Sequence, residues 1–288
     1  MTVNVSAYLD RIGYAGPTEP TAETLRALHR AHMLAVPFEN LDIHIGRPIL
    51  CDEAGFLHKI IDERRGGFCY ELNGAFAALL RALGFRVTLL SARVSRADGG
   101  ESPEFDHLAL HVHPRVDLPA AVPAEVPDEA SWLADVGFGD SFIEPLVLQP
   151  NLEQPQIGRI FRLSETKSEI GNVFQLETLA EGNLANDDSP GKWKRQYSFT
   201  LKPRQLSDFA AMCRYHQTSP ESYFMQQRIC SLATPQGRIT LSDWKLIERR
   251  EERELTGPDL SREDQWRATL KKSFAIVLPD RSQPRPAE

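Results

Sequence analysis

The sequence predicts an α+β multidomain fold: a helical N-terminal part, a central antiparallel β-sheet or barrel, and a C-terminal part of mixed helices and strands. Three observations carry this. Apolar residues recur at spacings of three and four between Thr21 and about Ser91, the period changes to two from Phe85, and the pattern turns mixed from Arg204. At 288 residues the chain is about twice the ~150-residue prior for one domain, so two or three packed units are expected.

Thr21 caps the first predicted helix, which carries Leu25, Leu28 and Ala31 on one face. The second starts at Asp52, buries Phe56, Leu57, Ile60 and Ile61, and is expected to stop at Gly66-Gly67, where positive φ is cheap. The third begins at Cys69. It runs through Leu72, Ala75, Phe76, Leu79, Leu80 and Leu83, a wide apolar stripe, to Gly84 as the glycine that ends it. Alternation then predicts strands over 85–94, 105–113 and 131–136.

Residues 114–130, with Pro114, Pro119, Pro123 and Pro127, predict a surface insertion between two strands, and 181–194 a second loop. Beyond Arg204 the expectation is a helix near Leu206–Cys213, another near Ser219–Ile229, strands over Arg238–Leu246 and a charged helix around Ser261–Lys272. A polar tail follows from Asp280.

Composition excludes several function classes. Hydrophobic residues at 41% and charged residues at 25% exclude wholesale disorder. A formal charge of −7 argues against a nucleic-acid or anionic-membrane surface as the main partner. The chain has no apolar run of membrane-helix length, and its start lacks a signal-peptide pattern, which predicts a cytoplasmic protein. Cys51, Cys69, Cys213 and Cys230 are too sparse for a disulfide framework and are expected to be thiols.

Cys69 stands out chemically. Arg64-Arg-Gly-Gly-Phe-Cys sets a thiol in the first turn of a helix near two arginines, and both the helix dipole and the cations would favour the thiolate. The competing reading is a buried core cysteine. A thiolate nucleophile needs a base held by a third group. His107 is the candidate base, on a strand whose alternation sends His107, Ala109, His111 and His113 to one face. Those histidines could also suggest zinc, but no further ligand lies near in sequence, so no metal site is assigned.

Asp135 in Trp132-Leu-Ala-Asp-Val-Gly-Phe-Gly is the candidate third group, because a carboxylate in an apolar strand is costly unless paired. Its competing reading is a strand-end turn residue. Asp106, which points to the opposite strand face from His107, and Asp117, in the proline-rich loop, are weaker orienters.

These residues resemble the arylamine N-acetyltransferase family. The likeness lies in Arg64-Arg-Gly-Gly-Phe-Cys-Tyr-Glu-Leu-Asn, the upstream Pro37-Phe-Glu-Asn-Leu, His107 in its strand and Asp135-Val-Gly-Phe-Gly, with weaker similarity through Tyr197-Ser-Phe-Thr-Leu and Thr218-Ser-Pro-Glu-Ser-Tyr-Phe. The resemblance implies a helical bundle with the cysteine (1–90), a β-barrel with the histidine and aspartate (91–203) and an α/β lid (204–288). It implies a cysteine-protease-like triad of Cys69, His107 and Asp135 working by ping-pong with acetyl-CoA as donor and no permanently bound cofactor. The implied acceptors are aromatic amines, hydrazines and N-hydroxyarylamines, as in xenobiotic metabolism. Gly137, Phe138 and Gly139 match coenzyme-contact positions, and Phe38, Val94, Phe138 and Phe224 match acceptor-pocket positions.

One departure matters. His107 and Asp135 are 28 positions apart, longer than the family usually shows, and residues 114–130 hold the excess. Loops absorb such insertions at small entropic cost, so the triad should survive while access to the site could change. Two rivals stay open: a thiol enzyme of the same triad type, either an amide synthase moving a larger acyl group or an amide hydrolase, and a non-catalytic protein binding a ligand in the cleft.

Overall fold

The computed structural model describes residues 3–114, 131–168, 171–180, 192–250 and 253–279. The N-terminal third holds α1 (Val5–Ile12), α2 (Ala22–Ala35), β1 (Phe38–Glu39), α3 (Leu41–Ile45), α4 (Glu53–Leu57) and α5 (Cys69–Ala82). The centre holds β2 (Arg86–Val94), β3 (His107–His113), β4 (Trp132–Ala134), β5 (Leu146–Val147), β6 (Gln154–Gln156), β7 (Arg159–Ser168), β8 (Gly171–Ala180) and β9 (Lys194–Phe199). The last part holds α6 (Ala210–Thr218), α7 (Tyr223–Gln226), β10 (Ile229–Thr234), β11 (Gly237–Ser242), β12 (Lys245–Arg250), β13 (Arg253–Asp259) and α8 (Glu263–Phe274).

The helix signals act as local chemistry requires. Thr21 accepts the Thr24 N–H, Asp52 accepts the Gly55 N–H, and Gly84 takes a φ of 93° just beyond α5. The second helix departs from expectation at its end. A π-helical turn, His58–Asp62, follows α4, and the chain leaves it with Arg64, not a glycine, at positive φ. Gly66 and Gly67 serve close approach instead: a Cβ on Gly66 would lie 1.9 Å from the Pro37 carbonyl oxygen, and one on Gly67 would lie 2.7 Å from the Glu71 Cβ.

The π turn buries a cation. Lys59 Nζ lies 2.8 Å from Glu71 and 2.9 Å from Asp42, while Arg65 lies 2.7 Å from Glu39 and 2.9 Å from Asp42. Burial lifts the Glu71 carboxyl to about 7; Lys59 opposes that rise, and the Glu39 and Asp42 charges add to it. Replacing Lys59 by Met is therefore expected to cost about 3–5 kcal/mol, because three buried carboxylates would lose a shared cation. Chemical denaturation of the variant measures this, and a loss near zero would mean the network is compensated elsewhere.

Two sheets follow. The eight-stranded antiparallel sheet has the order β5-β4-β3-β2-β9-β8-β7-β6 and curls into a nearly closed barrel. Its open edges meet through a side chain: Gln154 of β6 accepts the Val147 N–H at 2.8 Å and donates to the Val147 carbonyl at 3.0 Å, in place of a ladder. The barrel interior is apolar, with Leu90, Ala92, Ala109, Leu133, Phe161, Leu176 and Phe199 among its members. Leu108, Leu110 and Val112 point the other way, into the core shared with α5.

The five-stranded sheet has the order β1-β10-β11-β12-β13 and is covered by α8 through Trp266, Leu270 and Phe274. Phe38 pairs with Ser231, so a strand from the N-terminal third forms the edge of the C-terminal sheet.

Several differences from expectation are local. The helix expected near Ser219–Ile229 is only α7, because Ile229 already begins β10. Helix α1 and the β7–β8 hairpin lie outside the elements the sequence predicts. The insertion over 114–130, the loop over 181–194 and the polar tail lie mostly or wholly outside the described residues.

Candidate active site

Cys69 is the first residue of α5, at the positive end of its dipole, and is buried. The Glu71 carboxylate accepts the Phe68 N–H at 3.0 Å and so anchors this helix start. His107 opens β3 opposite Ala92 of β2, and its ring turns to the barrel-interior side of the sheet, the side that holds Ala109. Asp135 follows β4, which is held in register by the pairing of Leu110 with Ala134. His107 Nε2 lies 2.7 Å from Asp135 Oδ2.

The Asp135 carboxylate is fully buried yet well supplied with donors. Asn73 Nδ2 donates to Oδ1 at 2.8 Å, the Gly137 N–H to Oδ1 at 3.0 Å and the Tyr197 hydroxyl to Oδ2 at 3.0 Å. Burial would raise this carboxyl, but its attraction to His107 and the hydrogen bonds from His107, Asn73 and Gly137 outweigh it and hold it below the usual carboxylate range. Because the carboxylate can only accept, Nε2 of His107 is the protonated nitrogen and Nδ1 keeps its lone pair.

A cavity of about 1010 Å³ opens over this arrangement. Cys69 and His107 both line it, as do Phe38, Val94, Gly137, Phe138, Gly139 and Phe224. Asp135 stands behind His107. The glycine loop lies against the start of α5: a Cβ on Gly137 would come within 2.8 Å of the Cys69 Cα. Phe138 meets the His107 ring edge-on at 5.2 Å.

The electrostatics of Cys69 differ from the sequence expectation. Arg65 is turned onto Glu39 and Asp42, and Arg64 is exposed, so the two neighbouring cations serve the bundle and the surface. Burial pushes the Cys69 thiol well above its ordinary value; a hydrogen bond from the Leu108 backbone opposes this, and the Asp106 and Asp135 charges add to it. A thiolate at Cys69 therefore needs a proton acceptor inside the same cavity.

A model of the N-acetyltransferase family matches residues 21–283. The chain is 34% identical to the arylamine N-acetyltransferase pineal gland isozyme NAT-3 of Gallus gallus, over 96% of this chain and 95% of that protein. The chain belongs to the arylamine N-acetyltransferase family. Solved structures of the family agree in fold. The Nocardia farcinica arylamine N-acetyltransferase superposes with a TM-score of 0.80 at 32% identity, covering 96% of this chain and 90% of that one. The Mycobacterium marinum enzyme in complex with CoA superposes with a TM-score of 0.79 at 28% identity, covering 95% and 93%.

Two further histidines of this family member bear on the site. His29 of α2 lies beneath the site: its Nε2 accepts the Asp135 N–H at 3.1 Å, so Nδ1 carries the proton toward the Ile143 carbonyl at 2.9 Å. Its place within an apolar helical stripe was the available signal, since a core position held by histidine must have a partner. His216 of α6 lines the same cavity as Cys69. Nothing local marks it, since its partner is Asp106, far away in sequence. Asp106, weighed as a second orienter for His107, faces His216 instead. Asp117, the other alternative, lies outside the described residues.

His29 also predicts a pH dependence. Burial lowers it to about 4 from 6.5, so on acidification the unfolded chain takes a proton that the folded chain refuses. Stability is fully present above about 6.5 and is lost as pH falls toward about 4, by about 3 kcal/mol from this group. Urea denaturation at pH 7 and at pH 4.5 should show the decline, and His29→Gln should flatten it. An unchanged slope in the variant would assign the decline to other groups.

Proposed function

We propose that the chain moves an acetyl group from acetyl-CoA, through a thioester on Cys69, to the nitrogen or N-hydroxyl oxygen of arylamines, hydrazines and N-hydroxyarylamines. The observation that carries this is the 2.7 Å bond between His107 and Asp135 in the wall of the cavity that also exposes Cys69 at a helix start. Family membership supports acetyl transfer, and a relative with CoA bound supports the donor.

Each residue has a role. His107 Nδ1 takes the Cys69 proton as Sγ attacks the acetyl carbonyl, and the resulting imidazolium is stabilised by Asp135. The tetrahedral intermediate collapses, the C–S bond to coenzyme A breaks, and the coenzyme thiolate leaves with that proton. The acceptor nitrogen then attacks the Cys69 thioester, passes its proton to His107, and the Cys69 sulfur departs to recover it. Acetyl-CoA is a cosubstrate here, and no resident cofactor enters the cycle.

Gly137, Phe138 and Gly139 are proposed coenzyme contacts, and Phe38, Val94, Phe138 and Phe224 proposed acceptor contacts. Their common position around the cavity supports both assignments. On this reading residues 1–90 carry the nucleophile, 91–203 the base and its orienter, and 204–288 the lid. Free thiols at Cys51, Cys69, Cys213 and Cys230 support a cytoplasmic setting. Among the described residues no helix is long and apolar enough to cross a membrane.

Intact-protein mass spectrometry with acetyl-CoA, first without an acceptor and then with a simple arylamine or hydrazine, tests the proposal. A gain of one acetyl group that the amine clears is the expected result. A folded protein that forms no adduct while Cys69 alkylates readily would overturn the donor assignment and favour an amide synthase or hydrolase.

A further inference from the structure

We propose that His216 is a positioning residue for the nucleophile, holding and neutralising the Asp106 carboxylate that shares a cavity with Cys69. This builds on the reading of Cys69 as the acyl-accepting thiol. Cys69, Asp106 and His216 all line the one cavity, so the site holds two histidine–carboxylate pairs around a single thiol. His107 with Asp135 is the first. The second is His216 Nε2 with Asp106 Oδ1, at 3.3 Å.

Three elements bring the second pair together. Cys69 begins α5, Asp106 directly precedes β3, and His216 lies on α6, 110 positions further along the chain from Asp106. The Asp106 carbonyl oxygen faces Cys69 Sγ at 4.0 Å, the Tyr70 hydroxyl at 3.2 Å and His216 Nε2 at 3.4 Å. His216 is buried and its ring packs against Tyr70 and Phe224.

The surroundings of the ring select its form. Ser222 donates its hydroxyl hydrogen to the His216 carbonyl at 3.1 Å, so its oxygen is left to accept from Nδ1 at 3.3 Å. Nε2 meets only the carbonyl and carboxylate oxygens of Asp106. With acceptors on both sides, the arrangement suits a ring that donates from both nitrogens, the cation that matches a carboxylate.

The consequence falls on Cys69. When His107 takes the thiol proton, its new charge faces Asp135, so that carboxylate is balanced. Asp106 feels that charge only at a distance, since its bonded partner is His216. Without His216, its negative charge would oppose the forming thiolate across a low-dielectric cavity. The other titratable groups around the pair are Tyr70 from α5, His107 from β3 and Tyr215 from α6, with Cys51 and Asp135 acting on Cys69.

The test is the pH dependence of iodoacetamide alkylation at Cys69, followed by peptide mass spectrometry in the full-length protein. His216→Gln is expected to raise the midpoint by about one unit and slow alkylation at pH 7 about tenfold. Asp106→Asn should abolish that rise: the double variant should titrate as Asp106→Asn alone does, since no carboxylate is left to neutralise. A midpoint unmoved in His216→Gln, as purely structural packing of His216 would give, overturns the proposal whatever Asp106→Asn does. If His216→Gln does not fold, the smaller His216→Asn takes its place and is read the same way: a midpoint that does not rise overturns the proposal. Acetyl adducts from acetyl-CoA, measured on the same samples, separate the two readings. A shift without an adduct retains the role of His216 and removes acetyl transfer, whereas an adduct without a shift does the reverse.

Discussion

Cys69→Ala is expected to lose acetyl transfer by roughly a millionfold, the scale seen when the nucleophile of a triad is removed. The side chain sits where no other thiol can replace it. Cys213 and Cys230 are buried and, like Cys51, do not line the cavity. Fold and stability should be nearly retained, because deleting one sulfur from a packed site removes little apolar surface. Steady-state kinetics with an arylamine acceptor and intact mass after acetyl-CoA together check this. An acetyl adduct that persists and still turns over in Cys69→Ala would move the nucleophile elsewhere.

Asp135→Asn is expected to lower kcat by about 10⁴ with the fold intact. The reason lies in which atom donates. Oδ2 now accepts from His107 Nε2 at 2.7 Å and from the Tyr197 hydroxyl at 3.0 Å, while Oδ1 accepts from Asn73 and Gly137. In the variant, the donors at Oδ1 would keep the amide oxygen there and turn the amide NH2 toward His107. That group donates, so Nε2 would have to accept and the proton would move to Nδ1, leaving no lone pair to receive the Cys69 proton. Full activity in Asp135→Asn would show that another carboxylate orients the base.

The residues in these predictions differ in how legible they were. Cys69 could be placed at a helix start because the signals lie within a few residues of it: Gly66-Gly67 before, the apolar stripe from Leu72 to Leu80 within, and Gly84 after. His107 and its strand face were equally local, since alternation alone separates Ala109 from Leu108 and Leu110. The β7–β8 hairpin carried a weaker form of the same signal. Its inward residues Phe161, Leu163, Phe174 and Leu176 occupy one stretch of the paired strands, while Glu165 to Ser168 are exposed and polar.

Other features had no local mark. The two arginines before Cys69 looked like its counter-ions, yet Arg65 is drawn to Glu39 and Asp42 because two buried carboxylates outbid a neutral thiol for a cation. The pairing of Phe38 with Ser231 could not be inferred from a two-residue strand with no periodicity of its own.

The amino-acid order by itself determined the helix that presents Cys69, the strand that presents His107, the apolar setting that makes Asp135 need a partner, and the family to which these motifs belong. Propensity, periodicity and caps act over one or two turns or a few strand residues, so a linear reading captures them. Tertiary structure alone decided what surrounds those groups: the His107–Asp135 distance, the burial that raises the thiol, His29 beneath the aspartate and His216 against Asp106. Each joins residues from different elements, and a hydrogen bond or a desolvation depends on separation in space, which sequence spacing does not encode.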